Sequence, residues 1–261
     1  MAEKTGFLSG KRALVTGANS DIGYAIAQAL AAQGADLVLH RRSDAKLSGD
    51  TRLLFDTCPV ILADFLETDG ASSLAEAALA SGPIDILIAN AAMEQRQPWP
   101  DIDPAFINAH VSANFTSMLM LVGALVPSME QRKWGRVVAI GSVMATRPRA
   151  ETAVYAALKS AQLTALRAIA RDVAPNGVTM NVVSPGAIET GHTAELYAKP
   201  DFRRAVTAKI PMARPGTPED CVAPITMLCS DGASYITGVD IPVNGGWDIG
   251  DAPGNLMEFG Q

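Results

Sequence analysis

Short apolar runs, separated for the most part by longer segments of helical pattern, recur along this 261-residue chain, and that alternation leaves few folds open. The runs are Ala13 to Val15, Leu37 to His40, Val60 to Ala63, Ile84 to Ala89, Gly135 to Ile140, Val178 to Val183 and Val239 to Val243. Between them, Ile22, Ile26, Ala29 and Leu30 follow helical spacing up to Gly34, and Leu74 to Ala80 is alanine-rich and helix-prone. Asp103 to Met129, Thr152 to Val173 and Glu219 to Cys229 also read as helices. Strands alternating with helices of this length require right-handed crossovers and a parallel sheet covered on both faces. The expected fold is therefore a single-domain, Rossmann-type, doubly wound seven-stranded parallel sheet spanning residues 1–261. The stretch from Pro185 to Pro218 holds five prolines. It reads as a loop with short helices, long enough to act as a substrate lid over about residues 187–217.

Ligands in such sheets sit at the carboxyl ends of the strands. The Thr16–Gly17 turn, Asn90, Ser142 and Pro185 all follow strands and should converge on one edge. Thr16 to Gly23 joins a strand to a helix, and Gly17 lets the backbone bend tightly toward a pyrophosphate at the helix N-terminus. Tyr155 and Lys159 are four residues apart on one helix face. A fixed ammonium lowers the pKa of a nearby phenol, which would suit Tyr155 to general acid–base work. Such a pair is also common on solvated helices, so its meaning depends on its surroundings.

Those surroundings resemble the short-chain dehydrogenase/reductase family over nearly the whole chain, from Leu8 to about Trp247. The family's glycine-rich cofactor motif is matched by Thr16-Gly17-Ala18-Asn19-Ser20-Asp21-Ile22-Gly23, and its strand-four motif by Ala89-Asn90-Ala91-Ala92. Its catalytic set maps onto Asn114, Ser142, Tyr155 and Lys159, and its strand-six motif onto Pro185-Gly186-Ala187-Ile188-Glu189-Thr190. The resemblance implies hydride transfer between a nicotinamide and a small-molecule carbonyl or secondary alcohol. Tyr155 would be the general acid or base, with Ser142 hydrogen-bonding the same oxygen. Lys159 would lower the Tyr155 pKa and bind the nicotinamide ribose, and Asn114 would hold a water linking Lys159 to solvent.

The cofactor contacts implied are Gly17, Asn19, Ser20, Asp21, Ile22 and Gly23 at the turn, with His40, Arg41 and Arg42 after strand two. Asp64 and Phe65 follow strand three, Asn90, Ala91 and Ala92 strand four, and Pro185, Gly186, Ile188 and Thr190 strand six; Tyr155 and Lys159 complete the set. Two positions depart from the motifs. Ala92 replaces a glycine and reshapes its turn. Asp21 replaces the middle glycine, where it reads either as a helix N-cap or as a carboxylate opposing nearby phosphates. Arg41 and Arg42, with no acid before Asp44, favour NADP(H) over NAD(H) by pairing with a 2′-phosphate; the alternative is a solvated basic turn.

Composition narrows the partners. A net charge of -6 offers no field for a phosphate backbone, so nucleic acid is not expected. Cys58, Cys221 and Cys229 form no C-x-x-C pair, and with three scattered histidines no metal site is expected. The polar segment Met1 to Lys11 has no apolar core of a signal peptide, and the run Met118 to Val126 is about half the ~20 residues needed to cross a bilayer. A cytoplasmic protein without membrane association is expected. The small side chains Ala153, Ala156, Ala157 and Ala161 on the Tyr155 helix suit close packing against a second copy, and the family commonly forms homotetramers. Arg147 and Arg149, with Met93, Glu94 and Met144, are expected at the pocket mouth. The overall pattern strongly resembles 3-oxoacyl-carrier-protein reductases, but sugar, steroid and small-alcohol dehydrogenases share it. The reading from another class is a cofactor-binding scaffold that has lost its chemistry.

Overall fold

The computed structural model describes residues 5–44 and 52–249. The start of the N-terminal polar segment and the end of the chain, both included in the expected domain bounds, lie outside the described residues. Seven parallel strands form one sheet: β1 (Arg12–Val15), β2 (Asp36–Arg41), β3 (Val60–Leu62), β4 (Ile86–Ala89), β5 (Gly135–Ile140), β6 (Val178–Pro185) and β7 (Asp240–Val243). Their spatial order is β3-β2-β1-β4-β5-β6-β7, so the winding direction reverses between β1 and β4. The crevice at that reversal is where a doubly wound sheet holds its ligand.

Side-chain alternation along the strands divides the core in two. Leu14, Val38, Leu87, Ala89, Val137, Ala139 and Met180 face one side, where they meet α3 (Gly70–Ala80), α5 (Ser117–Gln131) and α6 (Ala153–Val173). Ala13, Val15, Leu37, Leu39, Ile86, Ile88, Val138 and Val183 face the other, against α1 (Asp21–Ala32) and α9 (Val222–Leu228), with Phe55 from α2 (Arg52–Thr57). Both faces of every central strand are thus dry, which explains their near-continuous apolar runs.

The structure adjusts several expected boundaries. The short α2 was not anticipated, because six residues are too few to display a helical period. The helix expected over 219–229 begins as a 3-10 turn at Pro218–Cys221 before α9. There Thr217 and Asp220 form a reciprocal capping box and the Asp220 carboxylate is also bound by Arg214, which tightens the first turn. The helix expected over 103–129 is α4 (Pro104–Val111), capped by Asp103, then a π-helical turn at Ser112–Thr116, then α5.

The continuous helical segment Pro104–Gln131 is long and apolar enough to span a bilayer by length and composition, yet half of its apolar 18-residue stretch is buried within the fold. Met118, Leu121, Val122, Leu125, Val126 and Met129 pack into the core.

Between β6 and β7 lie α7 (Ala194–Tyr197) and α8 (Pro200–Thr207). Tyr197, Val206 and Ile210 from this excursion form a small separate core with Val143 and Trp247. The base of the excursion is stitched by Glu189 N–H to Gly216 O at 2.8 Å and Gly216 N–H to Ala187 O at 2.9 Å.

Candidate functional site

Three strand ends meet at the carboxyl edge of the sheet. Thr16, just past β1, is buried, and its Oγ1 accepts the N–H groups of Asn90 (2.9 Å) and Ala91 (3.0 Å). Asn90 answers by donating Nδ2 to Thr16 O at 2.9 Å and Gly17 O at 3.0 Å. This exchange fixes the glycine turn against the end of β4. Gly17 has φ +60°, and a Cβ there would come within 2.9 Å of Ala91 Cα, so no side chain fits where the two backbones meet. The Thr16 hydroxyl, which the motif pattern alone does not single out, is the centre of the turn.

Ser20 is the N-cap of α1, its Oγ accepting Gly23 N–H at 3.2 Å. The reading of Asp21 as the cap is corrected: Asp21 occupies the first helical position, and its Oδ2 accepts Gly191 N–H from the excursion at 2.8 Å. His40 is also corrected as a cofactor contact. Its ring is 2% exposed, Nδ1 accepts Gly17 N–H at 3.2 Å, Nε2 donates to Ala63 O at 2.9 Å, and Phe65 stacks on it at 4.6 Å. Both nitrogens are spent on joining the turn to β3, and burial pushes the ring's pKa down, which keeps it neutral.

Arg41 is paired with Asp44 and lies 5.6 Å over the Phe55 ring, whereas Arg42 is exposed. Asp64 accepts Leu66 N–H at 3.0 Å, which turns the chain after β3 and leaves Phe65 half-buried beside His40. Asn19 is exposed; Ile22, Ala91, Gly186, Ile188 and Thr190 are half-buried along the same edge, with Pro185 buried and Ala92 exposed.

The cradle fits a dinucleotide: a glycine turn closed to side chains leads into the N-terminal N–H groups of α1, whose partial positive charge suits a pyrophosphate. Asp21 is the one group there with the opposite tendency.

The expected chemical residues come together beyond the ends of β4 and β5. Lys159 is 2% exposed; its Nζ donates to Ile140 O at 2.6 Å and lies 5.5 Å from the Tyr155 ring centroid. Burial lowers the ammonium's pKa to about 8, with the Glu94 carboxylate opposing. Burial also raises the Tyr155 phenol well above its ordinary value; Glu94 adds to the rise, and a hydrogen bond with Ser142 opposes it. The expectation that Lys159 holds this phenol low is therefore not met, because desolvation dominates and the ammonium bonds Ile140 O. Ser142 Oγ accepts Met144 N–H at 3.1 Å, which orients the hydroxyl beside Tyr155.

Asn114 sits in the π-helical turn and is 1% exposed. Its side chain does not present a free amide. Oδ1 accepts Met93 N–H at 3.0 Å, and Nδ2 donates to Met93 O and His110 O, each at 3.0 Å. Its main-chain carbonyl accepts Gln162 Nε2 at 2.5 Å. Asn114 thus anchors the loop after β4. His110, fully buried, holds the same loop through Gln95 N–H at 3.3 Å while its Nδ1 donates to Phe106 O. Sequence reasoning missed Gln162 and His110. Their only sequence signals were position: Gln162 is one turn past Lys159 on the same face, and His110 one turn before Asn114.

Of the two mouth arginines, Arg147 donates to Trp247 O at 2.5 Å and Arg149 lies 5.9 Å over the Trp247 ring. Among the described residues, no group of three or more His, Cys, Asp or Glu side chains is arranged to hold a metal ion.

A doubly wound parallel sheet with a glycine turn at its reversal point, and a buried Tyr and Lys with a half-buried Ser beside it, defines a dinucleotide-dependent α/β enzyme class. The family model described as enoyl-(acyl carrier protein) reductase matches residues 17–248, and the chain belongs to the short-chain dehydrogenase/reductase family of oxidoreductases. It is 34% identical over 238 residues to the 3-oxoacyl-[acyl-carrier-protein] reductase FabG of Salmonella typhimurium, covering 91% of this chain and 97% of that one. Among solved structures, a 3-oxoacyl (acyl-carrier-protein) reductase from Agrobacterium tumefaciens with NADP bound superposes with a TM-score of 0.84 at 32% identity, covering 94% and 97% of the two chains. A structure described as an NAD(P) dependent gluconate 5-dehydrogenase from Beutenbergia cavernae, with bound NADP, gives 0.86 at 32% identity over 95% and 100%.

Proposed function

We propose that this chain is an NADP(H)-dependent oxidoreductase that interconverts a carbonyl and a secondary alcohol, with Tyr155 as general acid and base. The observation that carries the reading is the buried Tyr155 phenol, hydrogen-bonded with Ser142 and flanked by Lys159 at the carboxyl edge of the sheet. When bound, the nicotinamide supplies or accepts the hydride.

The chain's own residues hold the oxygen and move the proton. The Ser142 hydroxyl, oriented by Met144 N–H, positions the substrate oxygen beside Tyr155. Tyr155 gives that oxygen a proton in reduction and takes one in oxidation. A desolvated phenol is a poor acid on its own. Its work depends on developing negative charge being met by the Lys159 ammonium in a dry site, where such an interaction is stronger than in water. Asn114 and His110 hold the loop that carries Glu94 at the mouth of this site.

The dinucleotide would lie along the turn Gly17 to Gly23, with Asn90, Ala91 and Ala92 beneath it. Asp64 and Phe65 would border its adenine end, and Arg42, assisted by Arg41, would pair with a 2′-phosphate. Pro185, Gly186, Ile188 and Thr190 would flank its nicotinamide end, under a lid formed by residues 187–217. The NADP-bound relatives support this choice of cofactor.

The assembly proposed is a homotetramer in the cytoplasm. A surface groove of about 400 Å³ on α6, lined in part by Met144, Pro148, Ala153 and Ala157, supports contact with a second copy. Ala156, although buried, also lines the groove at its floor. Light scattering at micromolar concentration should give a tetramer or dimer, and a monomer alone would refute the assembly.

The substrate is tested by following NADPH and NADH oxidation against ketones, 3-oxoacyl thioesters and keto-sugars. Turnover of any of these with NADPH is expected. Binding of NADPH with no turnover across the panel would favour the cofactor-binding scaffold.

A further inference from the structure

The family's middle glycine is replaced here by Asp21, and the structure gives that carboxylate a partner 170 residues away. Asp21 Oδ2 accepts the N–H of Gly191 at 2.8 Å. A Cβ at Gly191 would lie 3.6 Å from Oδ2, so the fit is close but not strained.

The segment around Gly191 is a preformed unit. Thr190 N–H donates to Thr193 Oγ1 at 2.9 Å, and the two threonine hydroxyls are 3.1 Å apart. Its base is joined to residue 216, and Arg203 of α8 ties Glu189 at 2.6 Å. Asp21 links the tip of this unit to α1. We propose that Asp21 is a positioning residue that latches residues 188–193 onto the start of α1, fixing the lid's first segment over the cofactor turn before any ligand arrives. The proposal rests on the dinucleotide reading only for its second consequence.

That consequence concerns affinity. The N-terminus of α1 favours an anion, and the Asp21 carboxylate already supplies one negative charge at its first residue. The latch therefore orders the lid while weakening the same helix end toward a phosphate diester. A glycine at this position does neither.

Two variants separate the effects. Asp21→Asn keeps an acceptor oxygen for Gly191 and removes the charge; Asp21→Ala removes both. Amide hydrogen exchange over residues 188–197 of the ligand-free protein reads the latch directly. Exchange in Asp21→Ala should be roughly five- to tenfold faster than wild type, as expected for losing one hydrogen bond of about 1 kcal/mol net. Asp21→Asn should stay near the wild-type rate. Titration of NADPH by its fluorescence reads the second effect, with Asp21→Asn binding about two- to fivefold more tightly, the size of a charge effect at a helix end.

Wild-type exchange rates in both variants would overturn the latch. Weaker NADPH binding by Asp21→Asn would overturn the charge effect. A wild type that binds no NADPH would refute the functional reading instead, while the exchange data would still decide the latch.

Discussion

Lys159 spends its ammonium on the carbonyl of Ile140, the last residue of β5, at 2.6 Å, and is buried beside the ring of Tyr155. A charge in this position costs stability. The folded protein releases the Lys159 proton at about 8 and the unfolded chain at 10.5. Between those values the unfolded state binds more protons, so this residue's contribution to wild-type stability becomes more favourable as pH rises from 8 to 10.5; below 8 the full penalty applies.

Lys159→Met should therefore be inactive yet more thermostable at pH 7. The gain should be about 1 to 3 kcal/mol, from roughly 1.4 kcal/mol per pH unit less the lost bond to Ile140 O. Thermal melts of wild type and variant should converge as pH rises through that window. A variant less stable at pH 7 than at pH 10, relative to wild type, would contradict the burial argument.

Glu94 raises both the Tyr155 and the Lys159 pKa. Glu94→Gln removes that charge, so both groups should titrate at lower pH. In the direction of alcohol oxidation, which requires the deprotonated phenol, the rising alkaline limb of the rate profile should move to lower pH. An unmoved limb would show that Glu94 is screened by solvent and by Arg96, which pairs with it at 3.5 Å.

NADPH should be preferred to NADH by roughly ten- to a hundredfold, since a hydrogen bond to a charged group contributes about 1.5 to 3 kcal/mol and ~1.4 kcal/mol is a factor of ten. The structure shifts the weight toward Arg42, because Arg41 is shared with Asp44. The double variant Arg41→Ala, Arg42→Ala should lose most of the preference in kcat/KM. An unchanged ratio would make both arginines ordinary surface charge.

The sheet was legible because its strands are dry on both faces, and their apolar runs are bounded by turn residues. β5 was read to the residue, and β6 was read two residues short because its end, Ser184 and Pro185, pairs with Pro242 and Val243. Motif spacing was enough to bring Ser142, Tyr155 and Lys159 to one edge of the sheet. What the side chains do there was not. His40, at a strand end, is as consistent with a ligand contact as with a buried ring whose nitrogens serve Gly17 and Ala63. Asn114 is polar within a helix, but only the π-helical turn and the Met93 backbone show that its amide is saturated. Asp21 and Gly191, Gln162 and Asn114, and His110 and Gln95 are pairs made by folding, and no local pattern marks them.

In the proposed mechanism the Tyr155 hydroxyl transfers the proton, and the rest of the site binds the dinucleotide without it. Tyr155→Phe removes one oxygen from a buried ring and keeps its packing. NADPH affinity and turnover should be measured on the same preparation, with the best carbonyl substrate found. NADPH binding should stay within a few-fold of wild type while kcat falls at least ~100-fold, the scale of a general acid–base contribution. A Tyr155→Phe enzyme that keeps most of the wild-type rate would contradict that mechanism.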